Sequence, residues 1–573
     1  QPTLMSLTSI QLGEEDKAKV FVYAGSTKGE IYCWSPGKPS IDANGKFTGQ
    51  QNINVKPLAA PYRCKGNFGA VNVLKRIKDT PNGQNSWLLA AGKGGIILIL
   101  DTKDGDLEPK VTINLAESLA DHVRFTKRYQ ESVFQSLNTQ IRSVDMVITK
   151  YKEDDLTIET IGRAIIGTKG CEIYEFSFEK NGEKKNKPKP EVKDIKCVMQ
   201  GHSTGDSRNG AELWGLAIYP ATEESKELKG KMRKPMYATS GDDNRVRVWN
   251  IGKVGPGTTQ DDRPRLIAIS EQLDAFSRAL DWSRDGEKIA VGLGGRVGTR
   301  VVGTRSKHDG EVLIFNFELL KSGYGKLSEF KKLKPHPKDW ISDIKYSCNG
   351  TLAVGAHDRS IYLYNSKTYE YRAKCKGISS YVSHLDFSVD GQHLQSTDGS
   401  YELLFWDTKS GKQTKSAPSV ANVCWDTFTC TLGWPVQGIW PPGSDGTDIN
   451  AVDLLPDYHK KERKNIYSGV LATADDFGKV KLFNSPCTGE KASGIEYRGH
   501  SSHVTNIRFA ANIKDYKDDN IRLISTGGND RSIFQWRYDP HDDANGDDHG
   551  HQHDPDHDSE HEDFDADQRR TKS

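Results

Sequence analysis

The chain has 573 residues, 35% of them apolar and 27% charged, with a formal net charge of +1. It is long enough for several cores, and no apolar run reaches the roughly 18 residues that a membrane-spanning helix needs. Its nine cysteines are scattered, with no CxxC pair, which argues against a disulfide framework and reads as reduced thiols in an intracellular compartment.

Taken in order, nine segments share one pattern: a short apolar strand, a turn of Gly, Asp, Asn or Ser, then an alternating strand ending on a large apolar residue. They end at Trp34, Leu100, Phe176, Trp249, Phe315, Tyr364, Trp406, Phe483 and Trp536. Period-two alternation bounded by turn residues predicts antiparallel hairpins. One stretch breaks the pattern. From Asn114 to Leu137 turn residues are absent, apolar residues recur at Leu115, Leu119 and Val123, and Asn114 and Glu117 have capping-box spacing. This predicts a connecting helix over 114–137.

The shortest spacing between segment ends is 42 residues, from Tyr364 to Trp406, which matches the period of a four-stranded WD-type blade. The longer spacings read as the same unit with loop insertions. The predicted fold class is therefore all-β, with WD-repeat tandem β-propellers, because nine units exceed what one propeller usually holds. The predicted domains are trailing blades of a first propeller plus the helix over 1–138, an atypical second propeller of about 7–8 blades over 139–540, and a disordered tail over 541–573. An extra blade is expected from the strands of Val420–Leu432, inside the long interval before Phe483. Two units carry the full His–Ser/Thr–Asp–Trp set, His202, Thr239, Asp243 and Trp249, then His500, Thr526, Asp530 and Trp536. We read these as structural networks that tie a blade's inner turn to its outer edge, not as catalytic groups.

Charge is unevenly placed. Residues 541–573 hold ten Asp and two Glu against three bases, so the remaining body carries a net +10. The tail is too polar to fold alone. Its His549, His551 and His553 are weak transition-metal candidates; otherwise no metal or cofactor is expected. The body's positive charge falls in four insertions: Lys180–Lys196 with Lys184 and Lys185, Lys226–Lys234 with Lys231 and Arg233, Arg296–His308 with Arg296, Arg300, Arg305 and Lys307, and His459–Lys464 with Lys460, Lys461 and Arg463.

Six strings then narrow the class: ELWGLAIYP (Glu212–Pro220), SYVSHLDFS (Ser380–Ser388), GIWPPGSDGTDINAV ending at Val452, DDFGKVKLFNSPC (Asp475–Cys487), GHSSHVTNIRF (Gly499–Phe509) and STGGNDRSIFQW (Ser525–Trp536). From about Ile141 to Arg537 the chain resembles the tandem-propeller region of echinoderm-microtubule-associated-protein-like (EMAP-like) proteins. The resemblance implies a microtubule- or tubulin-binding structural protein of the cytoplasm and cytoskeleton, with a ciliary or flagellar axoneme and other axonemal partners among the expected settings. Family members begin with a coiled coil and a basic segment that are not in this sequence, so a C-terminal portion of a longer protein is expected. Basic loops on a rigid scaffold would steer toward acidic tubulin surfaces, which makes the cations named above the candidate tubulin contacts. The Arg296–His308 loop leads them, because guanidinium forks pair with carboxylates in fixed geometry.

No catalytic arrangement is expected. There is no P-loop and no HExxH, and Gly292–Gly303 is glycine-rich but lacks the GK[ST] ending. Neither nucleic acid nor membrane is expected as a partner. The alternative is a general WD-type scaffold that holds protein partners in a signalling, trafficking or ubiquitin-transfer assembly. Salt sensitivity and dependence on tubulin tails separate the two readings.

Overall fold

The computed structural model describes residues 3–12, 19–35, 60–77, 87–103, 106–118, 139–154, 156–186, 188–203, 212–220, 236–252, 265–294, 307–320, 325–416, 419–456, 469–489, 492–510 and 521–538. They build nine antiparallel sheets, seven of four strands and two of three. We number them as blades: 1 (4–63), 2 (71–114), 3 (141–200), 4 (213–269), 5 (277–332), 6 (341–375), 7 (382–407), 8 (449–498) and 9 (504–537). In every blade the first strand lies at one edge and the rest follow in sequence.

Packing explains why the second strands look uniformly apolar. Trp87–Gly92, Met236–Gly241, Thr351–Ala356 and Arg522–Gly527 are buried at every residue. A second strand has a neighbouring blade on each face, so both sets of side chains leave water. Blade 6 shows the scale: Leu352, Val354, Leu363 and Tyr364 are fully buried, each contributing about 1.5–3 kcal/mol by burial. Outer strands vary: Ile495–Arg498 is exposed throughout, whereas Leu266, Ile267, Ala268 and Ile269 of blade 4 are all buried.

The inner strands of blades 4 to 9 align closely, and each carries a β-bulge at its second residue: Trp214, Arg278, Ser342, Ser383, Asn450 and Thr505. A bulge re-aims the extra side chain along the sheet edge. In three of the six blades that side chain is a short polar group that latches the next inner strand. Ser342 donates to the Val382 carbonyl, and the Asn450 amide to the Val504 carbonyl at 2.9 Å. Thr505 donates to the Leu213 carbonyl and so closes the ring from blade 9 to blade 4. Closure is doubled further out, where the Gln535 side chain exchanges hydrogen bonds with the Gly252 backbone. Blade 3 takes its latch from blade 2, where the Asn72 amide donates to the Ile141 carbonyl at 2.8 Å. The ring of blades 4 to 9 closes without blade 3.

A second ladder lines the channel. Four residues below the start of each inner strand stand Ala217, Asp281, Lys345, Asp386, Asp453 and Arg508. Several of the carboxylates accept from the backbone of the following blade: Asp281 from Tyr346 N–H at 2.7 Å, and Asp453 from Phe509 N–H at 2.6 Å. Asp386 reaches forward in the same way, but the segment Thr427–Cys430, not blade 8, lies against it. It accepts from the N–H groups of Thr429 and Cys430, both at 2.9 Å, and from the Thr427 and Thr429 hydroxyls.

The expected blade over Val420–Leu432 is therefore corrected. The segment forms no strand; its ladder contact is one isolated bridge, Ser388 with Trp425. It continues into a 3-10 turn at Trp434–Ile439. Phe428, Val436 and Ile439 pack onto Val452, Leu471 and Phe483 of blade 8. An irregular wedge thus fills the gap between blades 7 and 8. The connecting helix starts where the capping box places it: the Asn114 carboxamide oxygen accepts from Ala116 N–H at 3.1 Å, and its amide donates to Glu117 at 2.8 Å. Residues 115–118 are helical. The remainder of 114–137 and the tail 541–573 lie outside the described residues.

Candidate binding face at the channel mouth

At one end of the ring, the turns between second and third strands meet the segments that enter each inner strand. Two blades there lack the small polar latch. Trp214 and Arg278 occupy the bulged positions of blades 4 and 5 instead. The Arg278 guanidinium lies 5.3 Å from the Trp214 ring centroid and 5.9 Å from that of Trp340. It forks onto Asp242 at 2.9 and 2.7 Å. Burial pushes the Asp242 carboxyl up, against the pull of that guanidinium. The stack continues from Trp340 to His357, with centroids 4.8 Å apart, and from His357 to Tyr381 at 4.6 Å. Burial holds the His357 imidazole down at about 4, so at neutral pH it is an uncharged ring in an aromatic stack. On the other side Trp214 donates to Glu212 at 2.7 Å and faces His503 at 5.9 Å. Cation–π and ring contacts thus run unbroken across blades 9, 4, 5, 6 and 7.

The two four-residue networks frame this face. His202 bridges Asp243 and Thr239, both at 2.8 Å, and the Trp249 indole donates to Thr239 at 2.8 Å. Arg247, fully buried, adds a 2.6 Å bond to Asp243. Against its burial, the Arg247 and His202 charges hold the Asp243 carboxyl far below the usual carboxylate range. In blade 9 the hydroxyl is corrected from Thr526 to Ser525. The Ser525 hydroxyl meets His500 at 2.8 Å and accepts from the Trp536 indole at 2.8 Å, while His500 reaches Asp530 at 3.2 Å. Thr526 bonds Thr505 at 3.0 Å. The turn in blade 9 is one residue longer than in blade 4, and a one-residue step in a strand reverses the face of every side chain. In both blades the acting hydroxyl lies two residues past the tryptophan's cross-strand partner, Tyr237 or Leu523. The same rule finds a pair the sequence reading passed over: the Trp406 indole donates to Ser396 at 2.9 Å.

The string Gly201–Gly205 fits G-x-S-x-G, but Ser203 is buried and its backbone N–H donates to Asp243 at 3.3 Å. Asp274, His308 and Glu311 stand within 4.8 Å of one another. Lys332 already occupies Glu311 at 2.8 Å, so one carboxylate of the trio is engaged by an ammonium.

Of the candidate contact residues, Lys307 is exposed on the channel-mouth face, in the turn that leads into blade 5's third strand, and Lys185 is exposed in a 3-10 turn of blade 3. Lys184 shares that turn. Arg296, Arg300, Arg305, Lys231, Arg233, Lys460, Lys461 and Arg463, with the tail histidines His549, His551 and His553, lie outside the described residues. Both ends of the arginine loop belong to this face: Gly294 packs against Trp340, and Lys307 stands at the loop's return. The channel's far end is a cavity of about 200 Å³ lined by Asp281, Lys345, Asp453 and Arg508, with Arg284 and Asp426 paired at 2.7 Å beside it. Burial raises both Asp281 and Asp453 to about 6.

Comparison with known proteins bears on this ring directly. Residues 213–538 match the family model for the echinoderm microtubule-associated protein second beta-propeller, more than half of the chain. The chain belongs to the echinoderm microtubule-associated protein family. The matched span coincides with the six blades that close on themselves. Among curated relatives, the chain is 36% identical over 350 residues to Echinoderm microtubule-associated protein-like 1 of Rattus norvegicus, covering 59% of this chain and 35% of that protein. It is 35% identical over 345 residues to Echinoderm microtubule-associated protein-like 4 of Mus musculus, covering 59% and 28%. It is 33% identical over 348 residues to the 77 kDa echinoderm microtubule-associated protein of Lytechinus variegatus, covering 60% and 42%. The chain thus spans about a third of the length of these relatives.

Proposed function

We propose that this chain is a microtubule-binding structural module, and that the ring over 213–538 presents its channel-mouth face to the partner. The observation that carries the reading is the match of that ring to a propeller of microtubule-associated proteins. The geometry adds a reason for a binding role: Arg278, Asp242, Trp214 and the His202 network are held in stacks and buried hydrogen bonds that make a rigid surface. On this reading blades 1 to 3 are the trailing part of a first propeller, because blade 3 is latched to blade 2, and the second propeller begins at blade 4. Service in a ciliary axoneme is the finer proposal. It predicts that the protein resists salt and detergent extraction of axonemes.

The test is co-sedimentation of the chain with microtubules across a salt series, using intact and tail-cleaved tubulin. Binding that falls with salt and with tail cleavage is expected, because exposed charges are screened within about 8–10 Å at physiological ionic strength. Pelleting that is absent at every salt concentration overturns the reading and leaves the general scaffold, whose partner would be a specific protein bound with modest salt sensitivity.

A further inference from the structure

The channel-mouth face is not uniform. Around Trp340, His357 and Tyr381 the exposed charged side chains of blade 6 and its flanks are Lys307, Lys338, Arg359 and Lys376, and none of them makes an ion pair among the described residues. They sit close together because their loops interlock. Gly310, three residues after Lys307, packs on Pro337. The Lys338 N–H donates to Asp358, next to Arg359, at 3.1 Å. Lys376 follows Lys374, which reaches the same Asp358 at 3.8 Å.

Most carboxylates of this sector are already engaged, and the exposed Asp274 stands 3.8 Å from His308, next to Lys307. Asp358 also accepts from the Tyr362 hydroxyl at 2.8 Å, and Asp339 from Trp340 N–H at 3.0 Å. Asp398, buried, accepts from three backbone N–H groups, those of Ser380, Ser400 and Glu402. Tyr381, by contrast, is 41% exposed at the end of the stack.

We infer that this sector is a docking site for an acidic peptide segment of a partner protein: carboxylates spread over Lys307, Lys338, Arg359 and Lys376, and an aromatic or apolar side chain laid against the exposed edge of the Trp340–His357–Tyr381 stack. The charge pattern selects the occupant. Four unpaired cations around a stacked aromatic surface repel a basic segment and leave a neutral one with little gain. The neighbouring sector at blades 7 and 8, with exposed Glu402, Asp445 and Asp476 beside Tyr401 and Phe477, has the reverse sign and bounds the site on that side. The inference deepens the microtubule reading, on which it rests for the source of the acidic segment.

The experiment uses the full chain and a fluorescent glutamate-rich peptide carrying one tyrosine, read by anisotropy at low and physiological salt. The wild type is expected to bind with salt-dependent affinity. The double variant Lys338→Glu/Arg359→Glu, whose side chains are exposed, is expected to lose about tenfold or more, since each reversal removes an attraction and adds a repulsion. Tyr381→Ala should lose affinity for the tyrosine peptide while leaving an all-glutamate peptide unchanged. The control Lys367→Glu/Lys409→Glu, exposed in turns at the other end of the ring, makes the same charge change and should bind as wild type.

Equal loss in the control, or no loss in the double variant, overturns the inference. So does a peptide that binds only after the ten aspartates of the tail are replaced by asparagine, which would make the chain's own tail the occupant. Microtubule co-sedimentation that persists in the double variant while the peptide fails to bind overturns the docking site and leaves the microtubule reading intact.

Discussion

Asp386 is the residue on which the irregular wedge between blades 7 and 8 depends. Its carboxylate is fully buried and accepts from Thr429 N–H, Cys430 N–H, the Thr427 and Thr429 hydroxyls and the Gln395 amide, at 2.6 to 3.1 Å. Asp386→Ala removes every acceptor at once. Leaving a buried donor unsatisfied costs about 1–3 kcal/mol. With two backbone N–H groups stranded, a net loss of about 3–5 kcal/mol is expected, in the range of breaking a buried charge network. Asp386→Asn keeps one acceptor oxygen but turns an amide donor toward other donors, and should lose about 2 kcal/mol.

Asp343→Ala is the matched comparison, because Asp343 accepts a single N–H from the following blade, that of Leu385 at 2.8 Å. It should cost about 1–2 kcal/mol. The assay is thermal unfolding followed by tryptophan fluorescence, with Trp425 stacked on Phe405 as a local reporter, together with hydrogen exchange over 427–440. Asp386→Ala should lower the midpoint by about 10 °C and open exchange first at Thr429 and Cys430. A midpoint no lower than that of Asp343→Ala, or unchanged protection at those two amides, refutes the assignment of the wedge to this carboxylate.

Three further outcomes follow from the geometry. Ser525→Ala should destabilise blade 9 by about 1–3 kcal/mol, more than Thr526→Ala, because Ser525 is the partner shared by His500 and Trp536; equal midpoints in urea would reverse the correction. Asp281 and Asp453, raised by burial to about 6 from 3.8, bind protons more tightly in the folded chain than in the unfolded one. Stability should therefore fall as pH rises from about 4 to about 6, and Asp453→Asn should flatten that slope in a pH series of unfolding midpoints. Thr505→Val removes the latch to Leu213 that closes the ring; faster exchange should appear at the junction of blades 4 and 9 while blades 5 to 7 keep their protection.

The blades were legible because their physics is local. A period-two pattern with turn residues between strands specifies a hairpin from a dozen residues, and the recurrence of that unit specifies stacking. What was not legible depends on single-residue steps or on partners far apart in the chain. Val420–Leu432 has the composition of a strand, but two of its backbone donors, Thr429 and Cys430, go to one carboxylate more than forty residues earlier, and composition does not record that. Ser525 and Thr526 are adjacent hydroxyls, and only the length of the following turn decides which one meets the indole. The aromatic stack was missed because Trp214, Arg278, Trp340, His357 and Tyr381 come from four different sheets.

One signal for that face was nonetheless present. When the inner strands are aligned, the second position reads Ser342, Ser383, Asn450 and Thr505 in four blades and Trp214 and Arg278 in the other two. A small polar residue there has a structural use, since a bulged side chain can reach the neighbouring carbonyl. Where no inner strand follows, Ser383 turns instead to Thr397 at 2.8 Å. Tryptophan and arginine cannot make the same short latch, so their blades give up an inter-blade hydrogen bond, worth about 0.5–1.5 kcal/mol. The loss is offset locally by the fork onto Asp242 and the cation–π contacts. A protein under selection for ring stability alone would have the cheaper solution in all six blades. Two neighbouring blades depart from it together, and their side chains begin the stack that ends at the exposed Tyr381.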